Sequence, residues 1–165
     1  MATVTLKGNP VHTSGELPTI GSKAPDFKLV KQDLSVVTLG DLAGKKIVIN
    51  IFPSIDTPTC ATSVRKFNQK ASALANTVVL CVSKDLPFAA KRFCGAEGLE
   101  NVITASAFRD SEFEKAFGIQ IIDSVLQGLC ARSVVIVDES GKVAYTQLVA
   151  ETADEPDYDA ALAKI

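Results

Sequence analysis

Two continuous apolar runs, and the amphipathic segment between them, dominate the pattern of the chain. Residues 47–52 (IVINIF) and 77–82 (TVVLCV) are apolar on both faces, with Asn50 as the polar exception in the first run. Continuous runs of this kind predict strands that are buried on both faces of a sheet. Between them, residues 58–74 are predicted to form a helix, because apolar residues recur there at helical spacing. These residues are Cys60, Val64, Phe67, Ala71 and Leu74.

Shorter elements surround this unit. The pattern predicts an N-terminal hairpin from residues 3–6 and 11–13, strands at 27–30 and 101–104, helices at 86–94, 110–117 and 157–164, and a hairpin from 134–138 and 143–149. Gly95 is expected to end the second helix. This order predicts the α/β class, with a central mixed β-sheet flanked by helices and an N-terminal β-hairpin extension. No linker divides the chain, so we expect one domain over residues 1–165, with a core from about residue 18 and the hairpin in residues 1–17.

Composition and charge limit the classes of partner. Seventeen basic and nineteen acidic residues give a formal charge of -2, and no basic stripe stands out, which argues against nucleic acid. No apolar run approaches the ~20 residues that a membrane crossing requires. Residues 1–18 also lack the charged and apolar regions of a secretory signal. We therefore expect a cytoplasmic protein with neither a nucleic-acid nor a membrane partner.

Four cysteines and one histidine are the candidates for special chemistry. Cys60, Cys81, Cys94 and Cys130 form no C-x-x-C pair, and His12 lies far from all of them in the sequence. A zinc cluster fits this spacing poorly. Four cysteines in a chain without a secretory signal also do not indicate a secreted disulfide framework. Two interpretations are left: redox chemistry, or burial of the cysteines as small apolar side chains.

The segment between the first apolar strand and the long helix favours a reactive Cys60. Pro58 suits the first helical position, which makes Thr57 the N-cap and Cys60 the third residue of the helix. Amide groups there have no partner inside the helix, and the helix dipole adds partial positive charge, so a thiolate is stabilised. The thiolate is the nucleophilic form of cysteine. A buried structural cysteine would also suit this position on the apolar face, and spacing alone does not separate the two.

The motifs of this region resemble the peroxiredoxin family. Pro53-x-x-x-Thr57-x-x-Cys60 matches the peroxiredoxin active-site pattern. The longer segments PSIDT, SVRKFN and DLPFAAKRFCGAEG resemble the bacterial thiol peroxidase subfamily, an atypical 2-Cys group, and the similarity extends to EPDYDAAL near the C-terminus. The Pro58-Thr59 pair is the visible variation, since relatives often have smaller or apolar residues there. The resemblance covers essentially the whole chain and implies a thioredoxin-like (peroxiredoxin) fold.

This resemblance implies a role for each residue of the motif. Cys60 is the peroxidatic cysteine, which attacks a hydroperoxide and becomes a sulfenic acid. Thr57 supplies a hydroxyl near the sulfur and the peroxide, and Pro53 shapes and shields the pocket. Arg132 favours the thiolate and polarises the peroxide, which suits a side chain that stays charged at any relevant pH. From the residues alone, Arg132 is one of seventeen cations, and Arg65, one turn into the helix, is its competitor.

The resemblance also assigns Cys94 as the resolving cysteine, which closes a disulfide with Cys60 in the same subunit. A disulfide requires Cα atoms roughly 4.4–6.8 Å apart, so we expect the helix near one or both cysteines to unwind locally on oxidation. The structural alternative is that Cys94 fills the core at a helix end. Cys81 is predicted to be a core residue, and Cys130, two residues from Arg132, is a spectator or a rival resolving thiol.

The activity that the resemblance implies is the reduction of hydrogen peroxide and organic hydroperoxides. It implies thioredoxin as the electron donor, a homodimer, and neither a metal nor another cofactor. Two other classes stay open on the residues alone: a thiol–disulfide exchange or redox-sensing protein, and a non-enzymatic scaffold with structural cysteines. Continuous turnover with peroxide distinguishes the first class from the second. Slow reaction with thiol reagents would mark the scaffold.

Overall fold

A seven-stranded mixed sheet with flanking helices forms the centre of the protein, and a computed structural model describes all residues, 1–165. The strands are β1 (Thr3–Leu6), β2 (Asn9–His12), β3 (Lys28–Lys31), β4 (Val36–Thr38), β5 (Lys46–Ile51), β6 (Thr77–Ser83), β7 (Ile103–Ser106), β8 (Ser133–Val137) and β9 (Val143–Leu148). The helices are α1 (Pro58–Ala71), α2 (Pro87–Glu97), α3 (Phe113–Ala116) and α4 (Tyr158–Leu162), with a short 3₁₀ helix at Gly40–Leu42. The hairpin β1-β2 lies apart from the sheet, whose order is β4-β3-β7-β6-β5-β8-β9. The predicted mixed sheet, flanking helices and N-terminal hairpin are confirmed.

The two apolar runs form neighbouring strands in the middle of the sheet. β5 pairs in parallel with β6 on one side and antiparallel with β8 on the other. Alternate residues of β5 enter different cores: Ile47, Ile49 and Ile51 belong to one apolar cluster and Val48 to another. Because the side chains of a strand alternate between the faces of a sheet, the two clusters lie on opposite faces. Packing on both faces explains why the run is almost entirely apolar.

The four cysteines are divided between these two cores. Cys60, Cys81 and Cys94 belong to the core that also contains Val48 and the inner faces of α1 and α4. Cys130 belongs to the other core, with Ile47 and the residues around α3. All four side chains are buried and free. The sheet therefore separates Cys130 from the other three thiols.

The register of the central strands brings three chain segments to one end of the sheet. Ile51, the last residue of β5, pairs with Val82 of β6 and with Ser133, the first residue of β8. The segment that follows β5, the segment that follows β6 and the residue that precedes β8 therefore meet there. Carboxyl ends of neighbouring parallel strands are a common place for binding sites in α/β sheets.

The N-terminal hairpin is fixed to the rest of the protein. Lys7 and Gly8 form its two-residue turn, both with positive φ angles, 50° and 81°. Glu151 accepts hydrogen bonds from the Thr5 hydroxyl at 2.7 Å and from the amides of Lys7 and Gly8, and these bonds lower the pKa of Glu151 to about 2. Val4 packs in the core with α3. We therefore keep one domain over residues 1–165 as a proposal, which a single cooperative unfolding transition would support.

The helices differ from the predicted ones at their ends. α2 continues through Gly95, because a glycine inside a helix costs only ~0.5–1 kcal/mol relative to alanine. It ends at Gly98, whose φ angle of 66° closes the helix in the left-handed region. α3 is shorter than residues 110–117, since the Asp110 carboxylate accepts from the amides of Glu112 and Phe113 in a turn instead. The longest helix has 14 residues, and none has both the length and the apolar character that a membrane crossing requires.

Candidate active site

Cys60 lies at the start of α1, immediately after the loop that follows β5. Pro58 and Thr59 precede it in the helix, and the first helical hydrogen bond runs from the Ala61 amide to the Thr57 carbonyl at 3.0 Å. The amides of Thr59 and Cys60 therefore have no partner inside the helix. The Cys60 side chain has no exposed surface. A sulfur in this position is close to the positive end of a 14-residue helix dipole.

Arg132 contacts the sulfur directly. Its Nη2 donates to Cys60 Sγ at 3.3 Å, and its Nε donates to the Thr152 carbonyl at 3.0 Å. The side chain is only 3% exposed, it forms no salt bridge, and its Nη1 is buried without a protein acceptor. A buried cation favours an anion beside it. The hydrogen bond from Lys66 lowers the pKa of Glu155 most, and Arg132 is near enough for its charge to lower that pKa further. The group that Nη2 of this guanidinium contacts is the Cys60 sulfur.

The sulfur also has a structural link to the centre of the sheet. The Ser63 hydroxyl donates to the Cys60 carbonyl at 2.8 Å and accepts from Asn50 Nδ2 at 3.1 Å. Asn50 is the polar exception in the apolar run of β5, and both it and Ser63 are fully buried. The first turn of α1 is therefore tied to the strand beneath it. The unusual polar residue in the run was the sequence signal for this link, and the sequence analysis did not use it.

Thr57 and Pro53 lie in the loop between β5 and α1. Thr57 occupies the N-cap position but makes no side-chain capping bond. Its hydroxyl and its amide donate to the Ser54 carbonyl, at 3.1 and 3.2 Å. Pro53 is buried. The residue before it, Phe52, donates its amide to the Val82 carbonyl and so continues the pairing of β5 with β6. The loop therefore folds back on itself before the helix begins, and the Thr57 hydroxyl is directed into the loop.

Cys94 has different surroundings. It lies in the last turn of α2, with 5% of its surface exposed, at the edge of an open cavity lined by Lys91, Gly95, Gly98 and Leu99. Burial raises the pKa of its thiol. It is in the same core as Cys60, but the two thiols are free and no hydrogen bond joins them. The two cysteines therefore lie on separate helices and are not joined by a disulfide.

The remaining two cysteines are held as neutral thiols. Burial raises the pKa of Cys81 to about 12, although Asn50 Nδ2 donates to its sulfur at 3.8 Å. Burial also raises the pKa of Cys130, and the charge of Glu114 raises it further. A thiol that stays protonated is a poor nucleophile. These surroundings agree with the interpretation of Cys81 as a core residue, and they favour a spectator over a rival resolving thiol at Cys130.

Arg65, the competitor of Arg132, is engaged elsewhere. Its Nε and Nη2 form a two-bond contact with the Glu97 carboxylate at 3.0 and 2.9 Å, and its guanidinium lies 5.3 Å from the centre of the Phe93 ring. These bonds lower the pKa of Glu97. Arg65 therefore joins α1 to the last turn of α2 and does not contact the sulfur. The single histidine, His12, is engaged elsewhere as well, because its Nδ1 lies 2.6 Å from Oδ2 of Asp123.

Comparisons with known proteins identify the family of the chain. The Redoxin family profile matches residues 19–162. The thiol peroxidases of Mycobacterium tuberculosis and Corynebacterium glutamicum are 57% and 59% identical over all 165 residues of this chain and 99% of their own length.

Solved structures agree in fold. The peroxiredoxin-like protein from Aquifex aeolicus superposes with a TM-score of 0.94 at 43% identity, covering 99% of this chain and 95% of that one. A thiol peroxidase from Chromobacterium violaceum gives a TM-score of 0.90 at 22% identity, over 98% and 93% of the two chains, which speaks for the fold alone. The thioredoxin-like peroxiredoxin fold is thereby confirmed. The chain belongs to the Redoxin family and, within it, to the thiol peroxidase group of peroxiredoxin enzymes.

Proposed function

We propose that this enzyme reduces hydrogen peroxide and organic hydroperoxides, with Cys60 as the peroxidatic thiol. The observation that supports this most directly is the 3.3 Å contact between Arg132 Nη2 and Cys60 Sγ. A buried guanidinium that forms no salt bridge, beside a sulfur at a helix N-terminus, is an arrangement for holding a thiolate. The thiolate attacks the distal oxygen of the peroxide and the O–O bond breaks. The sulfur becomes a sulfenic acid, and the departing oxygen takes a proton from solvent to leave as water or an alcohol.

The neighbouring groups have the chemistry that this step needs. Negative charge develops on the departing oxygen as the O–O bond breaks, and donors already in place stabilise it. Arg132 Nη1 is buried and has no protein acceptor, so it is available as such a donor. Thr57 lies three residues before Cys60 in the sequence, and its hydroxyl bonds only to the Ser54 carbonyl. We propose that the Thr57 hydroxyl gives up its bond to the Ser54 carbonyl and donates to a peroxide oxygen instead. We propose that Pro53 excludes water from the peroxide-binding pocket.

We assign the second step to Cys94. Its thiolate attacks the sulfur of the Cys60 sulfenic acid, a disulfide forms, and the oxygen leaves as water after protonation. Both sulfurs are buried on different helices, so the step needs local unwinding. The last turn of α2 is suited to this change, because Gly95 lies within it and Gly98 ends it. Identical backbones around residues 60 and 94 in the reduced and oxidised protein would contradict this step.

The electron donor, the oligomeric state and the location belong to the same proposal. We propose thioredoxin as the reductant of the Cys60–Cys94 disulfide, a homodimer, and a cytoplasmic location. Phe88 and Phe108 are 63% and 60% exposed, and large exposed apolar side chains are common on contact surfaces. Four free thiols suit a reducing compartment. Sedimentation analysis tests the dimer, and cell fractionation tests the location.

The function is tested by an assay that follows NADPH consumption with thioredoxin, thioredoxin reductase and either type of peroxide. We expect continuous turnover for the wild type and none for Cys60→Ser. Cys94→Ser should be oxidised once, in proportion to the enzyme present, and then stop. Cys130→Ser is the matched control, because its thiol lies in the opposite core, and it should turn over like the wild type. Wild-type protein that consumes no peroxide, or Cys60→Ser that still does, would contradict the proposal.

A further inference from the structure

The loop of residues 53–57 is anchored by a carboxylate from outside the recognised motif. Asp85 follows β6, the parallel neighbour of β5, and its side chain reaches across to the loop. Asp85 Oδ1 accepts from the Ser54 hydroxyl at 2.8 Å, and Oδ2 accepts from the Ile55 amide at 2.7 Å. The Ser83 hydroxyl donates to the same Oδ2 at 2.6 Å. Two of these three bonds end on the active-site loop.

The anchored part of the loop also carries Thr57. The Ser54 carbonyl accepts from both the hydroxyl and the amide of Thr57, at 3.1 and 3.2 Å. Asp85 fixes the two sides of that carbonyl, through the Ser54 side chain and the Ile55 amide. The start of α1, and with it Cys60, follows directly. The position of the Thr57 hydroxyl relative to the sulfur therefore depends on the Asp85 carboxylate.

Asp85 is itself held from two sides. Its amide donates to the Ser83 hydroxyl at 3.2 Å, and its carbonyl accepts from the Ser106 hydroxyl of β7 at 2.5 Å. The next residue, Leu86, is the N-cap of α2. The carboxylate thus extends from a point fixed by two strands of the sheet. Groups on such rigid elements position other side chains more accurately than groups on free loops.

The geometry points to Asp85 as a positioning residue for the peroxide-reducing step, an inference that rests on the proposed function. Asp85 makes no contact with the sulfur and acts through Ser54, Ile55 and Thr57. A negative charge disfavours a neighbouring thiolate, so the contribution of this carboxylate is geometric and not electrostatic. It keeps the loop in the one arrangement in which the Thr57 hydroxyl and the Cys60 sulfur can contact the same peroxide.

A matched pair of variants separates positioning from stability. Ser54→Ala and Ser83→Ala each remove one hydroxyl bond to the Asp85 carboxylate, but only Ser54 belongs to the active-site loop. Both changes are made in a Cys94→Ser background, together with Asp85→Ala, and urea unfolding gives the stability of each. Two rate constants are then compared: oxidation of Cys60 by hydrogen peroxide, and its alkylation by iodoacetamide. Alkylation needs an accessible thiolate but not the peroxide-binding arrangement.

We expect the peroxide rate constant to fall about tenfold or more in Asp85→Ala and several-fold in Ser54→Ala, since misplacing a reacting group by about 1 Å costs up to ~100-fold. Ser83→Ala should lose less than Ser54→Ala at comparable loss of stability. Alkylation should not fall in any of the three, because the Arg132 contact with the sulfur is kept and a loosened loop exposes the buried sulfur further. Asp85→Asn should recover part of the peroxide rate, since its amide oxygen can still accept from the Ile55 amide.

Two results would overturn the inference: equal peroxide rates for Ser54→Ala and Ser83→Ala, or peroxide and alkylation rates that fall in parallel. If Asp85→Ala does not fold, the serine pair decides alone. Failure of the proposed function looks different, because the Cys94→Ser background itself would then not react with peroxide at Cys60.

Discussion

Cys60 and Cys94 are two buried cysteines in one core, but they lie at opposite ends of their helices. Cys60 is in the first turn of α1, where the helix dipole is positive, and Arg132 donates to its sulfur. Cys94 is in the last turn of α2, where the dipole is negative, and burial raises the pKa of its thiol. The same side chain thus lies beside a cation and a positive helix end in one place, and in surroundings that favour its protonated form in the other.

In the proposed mechanism this difference keeps the two thiols from competing for peroxide. The thiolate is the reactive form of cysteine, so the proposal directs the peroxide to Cys60 while α2 is intact. It makes Cys94 the nucleophile of the second step, once the surroundings of its thiol change. Four measurements test whether the two thiols differ in this way.

The largest effect is expected at Arg132. Replacing it with alanine removes the donor to the sulfur and the free Nη1, so the rate constant for oxidation of Cys60 should fall about 100- to 1000-fold. Arg65→Ala is the matched control, since it removes an arginine from α1 that pairs with Glu97 instead. Quenched-flow alkylation followed by mass spectrometry measures both, and it suits a chain without tryptophan. Equal losses in the two variants would refute the distinction between these arginines.

The second point is the pH dependence of disulfide formation. Because burial raises the pKa of Cys94 above the ordinary value of 9.0, its thiol is protonated at neutral pH. The thiolate fraction rises tenfold for each pH unit below the pKa, so the resolving step should accelerate by up to about tenfold per unit as pH rises from neutral towards 9.0. Rapid mixing of preformed sulfenic acid across this pH range gives the rate. A pH-independent rate would show that proton loss from Cys94 does not limit the step.

The third point is the hydroxyl of Thr57. Thr57→Val keeps the shape but removes the group that we assign to the peroxide, so the oxidation rate constant of Cys60 should fall by about tenfold, within the usual range for one neutral hydrogen bond. Thr57→Ser restores the hydroxyl and should recover most of the rate. Unfolding in urea shows whether the loss follows stability instead. If valine and serine variants react alike, the hydroxyl has no part in the step.

The smallest effect is expected at the Arg65–Glu97 pair, which joins α1 to the last turn of α2. Both side chains are more than a third exposed, so water and salt screen the pair and its contribution to stability is small. Glu97→Gln should loosen that turn and speed disulfide formation about twofold. Glu112→Gln, which removes an exposed pair beside α3, is the control and should leave the rate unchanged. Raising the salt concentration should accelerate the wild type but not Glu97→Gln, and a response in both would point to another ion pair.

The local features of the site were accessible from the sequence. The apolar runs predict β5 and β6 because both faces of these strands are covered, and Pro58 marks the first residue of α1 in the structure. The interruption of the first run by Asn50 signals a buried polar contact, which proves to be Ser63. Each of these features depends on residues that are close together in the sequence, so a local sequence pattern is enough to predict it.

The non-local features were not accessible in this way. The contact between Arg132 and Cys60 depends on the pairing of Ile51 with Ser133. No spacing along the chain reveals this pairing, so only the family resemblance suggested the contact. Asp85 has no local signature, since its partner loop lies on a different strand connection. Gly95 was expected to end α2, and that was wrong because two glycines lie close together and only Gly98 has the left-handed backbone. β4 was not predicted, since three residues at a sheet edge are too few for an alternation signal.

The pairing of Ile51 with Ser133 has a consequence for heat resistance. The pairing places Arg132, which precedes Ser133, close to the end of β5 and so to the helix that carries Cys60. Hydrogen-bonded ladders at the centre of a sheet are among the last parts of a protein to exchange their amide hydrogens. Warming should therefore leave the initial capture of peroxide intact up to the melting temperature. In the proposed mechanism the disulfide closes as the last turn of α2 unwinds, and warming favours local unwinding of this kind. The rate of disulfide formation should therefore rise towards the melting temperature while the capture of peroxide stays intact.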